Sequence, residues 1–78
     1  MAEQKDVYIK DEGEFATVCF QSDKAKELVK NDSNVKDHLR IGNAIGGGES
    51  VKLDVDVQSV PDLEIWLISH DLSWESEL

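Results

Sequence analysis

Length, composition and charge place this chain among small folded domains. It has 78 residues, of which 40% are hydrophobic and 32% are charged, and we expect a single domain over residues 1–78. A chain of this size buries only about 60% of the surface that its unfolded form exposes, so its stability is modest or is shared with a partner. The formal net charge of −9 repels nucleic acid and anionic membranes, which argues against both as direct ligands.

Cysteine content and hydropathy bear on the cellular compartment. Cys19 is the only cysteine, so an intramolecular disulfide is excluded and a reducing environment is favoured. The N-terminal stretch is too polar for a signal peptide, and every apolar run is far shorter than the roughly 20 residues that span a membrane. The sequence therefore predicts a cytoplasmic protein.

The first half of the chain predicts a β-hairpin followed by a helix. Two runs rich in β-formers flank a turn at residues 11–13, and the second run, residues 15–20, is apolar on both faces, as in an inner strand. Ser22 suits the N-cap of a helix that ends before the polar stretch at residues 31–34. Residues 33–39 allow one further short helix.

The glycine-rich stretch AIGGGES, residues 44–50, raises the question of a phosphate-binding loop. Such a loop leads from a strand into a helix N-terminus, whereas these glycines lead into a predicted strand, and Glu49 would repel a phosphate. The pattern favours a connector. We expect elevated mobility at residues 46–48 and little effect of Gly47→Ala, unless Gly47 adopts a positive φ.

Residues 51–57, VKLDVDV, alternate strictly and form the clearest predicted strand. Its apolar face holds Val51, Leu53, Val55 and Val57. The polar face carries Asp54 and Asp56, whose separation of about 6.6 Å along the strand could begin a divalent-cation site. A cation needs several more oxygen ligands, and the sequence does not visibly space them, so a solvated face is the better interpretation.

Residues 63–68 are compatible with either a helix or a strand. Pro61 followed by Asp62 favours the first turn of a helix. In a helix, Leu63, Trp66, Leu67 and His70 share one arc, whereas Ile65 and Ile68 form a second apolar arc. This second arc would lie under the C-terminal segment or against a partner. Trp74 belongs to a predicted short edge strand, with core and partner contact as open alternatives for its side chain.

These elements predict an α+β fold. The expected architecture is a small two-layer sandwich in which a mainly antiparallel sheet of three to four strands carries two helices on one face. The expected element order is β-β-α-(α)-β-α-β.

The C-terminal third carries the charge that we connect with function. Residues 53–78 hold seven acidic side chains and no basic one, whereas residues 1–52 are nearly balanced at −2. Such a field steers a protein toward basic surfaces. We therefore predict a small acidic protein-binding module that occupies a basic, nucleic-acid-handling surface of another protein, as an inhibitor or a DNA-mimic-like regulator. The predicted contact residues are Asp54, Asp56, Asp62, Glu64, Asp71, Trp74 and Glu75.

A second hypothesis is a structural or regulatory subunit, or a homodimer, that associates through the Ile65 and Ile68 stripe or a sheet edge. The acids would then serve solubility alone. We do not expect an enzyme, a metal or a cofactor, because the spacing of Cys19, His38 and His70 matches neither a metal site nor a Cys/His nucleophile pair.

Overall fold

The structure is a computed structural model that describes residues 5–43 and 48–78, and these residues form five β-strands and two α-helices. The elements in chain order are β1 (Val7–Asp11), β2 (Phe15–Phe20), α1 (Asp23–Lys30), β3 (Arg40–Asn43), β4 (Glu49–Asp56), α2 (Val60–Ser69) and β5 (Trp74–Ser76). Short 3₁₀ turns at Lys36–His38 and Val57–Ser59 precede β3 and α2.

The strands form a mixed sheet in the order β3-β4-β2-β1-β5. The pairings β3/β4, β4/β2 and β2/β1 are antiparallel, whereas β1 and β5 run parallel. The predicted hairpin of β1 and β2 is confirmed, with Asp11 opposite Ala16. Gly13 turns the chain at a φ of 97°, and its N–H donates to Asp11 Oδ1 at 2.9 Å.

Both helices cover the same face of the sheet, and the hydrophobic core lies between the two layers. Alternate strand residues point toward the helices, and α1 and α2 contribute Ala25, Val29 and Leu67 to the same cluster. The opposite side of the sheet has no helix over it among the described residues, and we call it the open face. It includes Tyr8, Lys10, Thr17, Cys19, Arg40, Lys52, Asp54 and Asp56.

The α+β class is confirmed, but the predicted strand count and order were wrong in detail. The predicted order omits β3. In the segment before the glycines, where a second short helix was predicted, the structure has a 3₁₀ turn followed by this strand. Residues 33–39 contain only the 3₁₀ turn Lys36–His38, without a side-chain cap. β3 is four residues long, and its isoleucine, Ile41, is 64% exposed, so its sequence has little hydrophobic alternation. Its strand structure depends on pairing with β4.

The helix boundaries follow the predicted local signals. Ser22 is the N-cap of α1, and its Oγ accepts from the N–H of Ala25 at 3.1 Å. Residues 63–68 are helical: α2 begins at Val60, with Pro61 and Asp62 in its first turn. The predictions for Gly46 and Gly47 lie outside the described residues, whereas Gly48, just before β4, has a φ of 85°.

Candidate functional site

The sequence-predicted contact residues are divided between the two layers. The pairing register places Asp54, Asp56 and Glu75 on the open face. Asp62 and Glu64 belong to α2 on the other side of the molecule. Because β2 and β1 separate β4 from β5, Glu75 is displaced about 14 Å across the sheet from β4 at a strand spacing of ~4.8 Å, and it lies level with Lys52 and not with the acids. The structure therefore does not bring the seven residues together on one surface.

The charge of the open face is mixed. Asp54 Oδ1 accepts from Arg40 Nη2 at 2.6 Å and from Thr17 Oγ1 at 3.1 Å. Lys52 lies directly opposite Arg40 in the β3/β4 register, and Lys10 is opposite Thr17. These basic side chains offset the nearby acids, so the open face lacks the unpaired carboxylate array that the charge count suggested.

The last predicted residues take part in local structure around the end of α2. Trp74 Nε1 donates to Glu64 Oε2 at 3.2 Å, which links β5 to α2, and the Trp74 side chain packs against the core. Asp71 has a φ of 57°, a left-handed conformation that ends the helix. Its carbonyl oxygen accepts from Lys24 Nζ of α1 at 3.2 Å.

The solvent side of α2 is apolar at its centre, and we call Pro61, Ile65 and Ile68 the α2 outer face. At 100° per residue these positions share one arc, opposite the fully buried Leu67. Ile65 and Ile68 are each 64% exposed. The predicted second apolar arc thus exists, and β5 does not cover it because that strand enters the sheet beside β1.

Carboxylates flank the α2 outer face. The helical spacing places Asp62 on one side of the arc and Glu64 on the other. Neither forms an ion pair among the described residues, where the salt bridges are Lys26 to Asp23 and Arg40 to Asp54. The α2 outer face is therefore an apolar stripe with an acidic border.

A groove of about 250 Å³ opens beside α2, between this helix and the segment that follows α1. We call it the α2 groove, and its lining consists of Phe20, Val29, Asp32, Asn34, Val35, Leu53, Asp62, Leu63 and Trp66. Asp62 thus belongs both to the border of the α2 outer face and to the groove. The lining is apolar apart from Asn34 and the two acids, and it includes no basic side chain among the described residues.

Aromatic contacts fix the indole that lines the groove. The rings of Trp66 and Phe20 meet edge to face, with centroids 6.2 Å apart and planes at 85°. The imidazole of His70 contacts the same indole at a tilt of 50°, with a centroid distance of 4.4 Å. Trp66 remains partly exposed while Leu67 beside it is fully buried. The groove therefore has a preformed aromatic wall.

The remaining candidate groups do not assemble into a reactive site. Cys19 is buried on the open face, whereas His70 ends α2 on the other side of the sheet and His38 lies in the 3₁₀ turn. Across residues 5–43 and 48–78, no group of three or more His, Cys, Asp or Glu side chains could hold a metal. A cavity of about 380 Å³ at the β1/β5 edge is lined largely by polar residues, including Lys10 and Glu75.

The described part of the chain contains two short α-helices, α1 and α2. No helix there is long and apolar enough to cross a bilayer.

Comparisons with known proteins identify no relative of this chain. No protein-family model, curated protein or solved structure matches it. The functional interpretation therefore rests on the geometry of α2 and its surroundings. Sequence analysis missed Asp32 as a site residue, because it occurs in a polar stretch that signals only the end of a helix.

Proposed function

We propose that this protein is a binding module that attaches to a basic, partly apolar surface of another protein through the α2 outer face. The observation that carries the proposal is the pair Ile65 and Ile68, each 64% exposed on a helix whose opposite side is buried in the core. Exposed apolar residues with a polar border are typical of protein interaction sites.

The acidic border defines the chemistry of the partner. Asp62 and Glu64 lack ion pairs among the described residues, and the net charge of the chain is −9. A second copy of the chain would bring like charges together around the stripe, which costs free energy. Lysine or arginine side chains around an apolar patch would instead complement both the stripe and its border. A heterologous partner is therefore favoured over a homodimer.

Imitation of DNA is a finer form of the same proposal. Duplex DNA carries one charge per about 1.7 Å of its axis, so a mimic needs dense, ordered and unpaired carboxylates. Here the acids occupy both layers, and Asp54 pairs with Arg40. Our proposal therefore depends on the border of α2 and not on a whole-molecule DNA mimic. Inhibition of a nucleic-acid-handling partner follows only if its basic surface binds duplex DNA in competition with this chain.

A photo-cross-linking residue in place of Ile68 tests the proposed contact surface. Ile41, also 64% exposed but on the edge strand β3, provides a matched control position. In cells of the source organism, we expect an adduct at position 68 that is absent at position 41. An adduct formed equally at both positions, or one that contains a second copy of the chain, would contradict the proposal.

The partner protein identified by the cross-link is then purified by itself, and its affinity for variants of this chain tests whether apolar and acidic side chains of α2 bind it. We expect Ile68→Lys to weaken binding at least tenfold, and the pair Asp62→Asn with Glu64→Gln to weaken it several-fold and reduce its salt dependence. The charge-matched control is Asp56→Asn with Glu75→Gln on the open face. Equal weakening by both pairs, or affinity that is insensitive to salt, would show that a basic partner does not recognise α2.

A further inference from the structure

The α2 groove has the composition of a receptor for one cationic side chain. Its volume of about 250 Å³ is below the range of roughly 300–1,000 Å³ that is typical of small-molecule pockets. Its floor and walls are apolar and aromatic, and its polar groups are two carboxylates and an amide. This combination suits a ligand with an aliphatic stem and a positively charged end.

The carboxylates of the groove favour a ligand with a positive charge. The carboxylate of Asp62 forms no hydrogen bond or ion pair among the described residues. Asp32 Oδ1 accepts from the N–H of Asn34 at 2.9 Å, which orients the carboxylate and leaves its second oxygen for another donor. Because both carboxylates line the same groove, a cation there would be attracted by both, whereas an anion would be repelled.

The indole of Trp66 distinguishes a guanidinium from an ammonium group. Its edge-to-face contact with Phe20 holds the ring in place at a centroid distance of 6.2 Å. A planar guanidinium can stack on such a ring and still donate in the plane to carboxylates, whereas an ammonium is a more strongly hydrated point charge. Arginine is also enriched among the residues that dominate protein interfaces.

We infer that the α2 groove binds an arginine side chain of the partner protein, with the guanidinium held by Asp32 and Asp62 and stacked on Trp66. This inference deepens the proposed function and rests on it for the source of the arginine. Asp62 connects the groove to the border of the α2 outer face, so the arginine would anchor a partner that also covers Ile65 and Ile68.

Titration with N-acetyl-arginine amide, followed by NMR, tests the groove without any partner protein. The chain has two tryptophans, and Trp74 at its contact with Glu64 provides an internal reference for the Trp66 indole signal. We expect a saturable shift of the Trp66 signal and of the amides around Asp32. N-acetyl-citrulline amide is the neutral analogue, and we expect it to bind at least fivefold more weakly.

Substitutions of Asp32 and Asp62 test whether their carboxylates bind the arginine probe. We expect Asp62→Asn and Asp32→Asn each to weaken binding of the arginine probe at least threefold, while Asp56→Asn on the open face leaves it unchanged. No shift of Trp66, equal binding of the citrulline analogue, or equal binding of N-acetyl-lysine amide would overturn the inference. The proposed function is tested separately by the cross-link at Ile68. An incorrect groove inference would abolish the response to the arginine probe, whereas an incorrect proposed function would abolish the adduct at position 68.

Discussion

At the scale of single residues, both the carboxylate and the backbone of Asp6 form hydrogen bonds with residues far away in the sequence. Its Oδ2 accepts from the N–H of Ser73 at 2.9 Å and from Ser73 Oγ at 3.1 Å, and its own N–H donates to Ser73 Oγ at 3.1 Å. Its carbonyl oxygen accepts from the N–H of Gln21 at 2.9 Å. Asp6 therefore connects the start of β1 with the end of β2 and the start of β5.

The charge state of Asp6 is coupled to folding. Burial raises the pKa of Asp6, but hydrogen bonds from Ser22 and Ser73 and the charge of Lys24 together hold this pKa below the ordinary value of 3.8. A carboxylate with a lowered pKa in the folded state stabilises the fold at pH values above 3.8. That contribution is lost as the pH falls through the lowered pKa.

We predict that Asp6→Asn lowers the free energy of unfolding by about 1 kcal/mol at neutral pH, a value reduced for solvent exposure. The difference from the wild type should shrink as the pH falls from 3.8 through the lowered pKa of Asp6, because both side chains are neutral only below that pKa. Urea unfolding of both proteins over a pH series measures this difference in the free energy of unfolding. Asp56→Asn is the exposed control, and a difference that stays constant with pH would contradict the assigned role.

The pair of Arg40 and Asp54 shows why charge counting alone overstated the uncompensated charge of the C-terminal third. These residues are 14 positions apart, on opposite sides of the glycine-rich stretch, and meet only because β3 pairs with β4. A count over residues 53–78 treats Asp54 as uncompensated. Pairing across strands is a tertiary property, so sequence segments cannot reveal which acids are unpaired.

At the scale of elements, α2 is a helix with two apolar sides and only one sheet to cover them. Leu67 is fully buried, whereas Ile65 is 64% exposed on the opposite side. The periodicity of the sequence predicted both arcs, and the structure determines which of them the sheet covers. Packing among residues 5–43 and 48–78 leaves this arc uncovered, which is why we propose that it contacts a partner.

We predict that Leu67→Ala lowers the free energy of unfolding by about 2–5 kcal/mol, because it leaves a cavity between α2 and the sheet. Ile65→Ala should change it by less than about 0.5 kcal/mol, since the side chain is mostly in water and alanine favours the helix. Chemical denaturation of the two variants gives the comparison. Similar losses for both would place Ile65 in an unrecognised buried contact.

The elements that the sequence predicted well are those with strong local signals. Ser22 and the alternation of residues 51–57 identified α1 and β4, although Val57 belongs to the 3₁₀ turn after the strand. Pro61 favoured the helix α2 over the strand that residues 63–68 also allowed. β3 was missed because its four residues carry no such signal and their conformation comes from a neighbouring strand. The α2 groove was missed for a related reason, since its acids, Asp32 and Asp62, lie 30 positions apart in the chain.

At the scale of the whole molecule, the net charge of −9 opposes the compact state. The ion pairs among the described residues, Lys26 to Asp23 and Arg40 to Asp54, each have at least one exposed partner, and each contributes less than about 1 kcal/mol. Repulsion among the remaining acids should therefore exceed the attraction within these pairs.

We predict that added sodium chloride raises the melting temperature by a few degrees between about 10 mM and 300 mM, because salt screens this repulsion. The increase should be smaller in the double variant Asp56→Asn with Glu75→Gln, which carries two fewer negative charges. Differential scanning calorimetry measures both. A melting temperature that falls with salt would show that attractive ion pairs outweigh the net repulsion.

The parallel pairing of β1 with β5 has a consequence for synthesis of the chain. The hydrogen bonds between Asp6 and Ser73 join positions 67 residues apart, while the β1/β2 hairpin is local and forms in roughly microseconds. At a synthesis rate of about 5–20 residues per second, β5 is made roughly 3 to 13 seconds after β1. During that interval the edge of β1 that later pairs with β5 is available to other chains. The length of the interval depends on the rate of translation and not on the rate of folding.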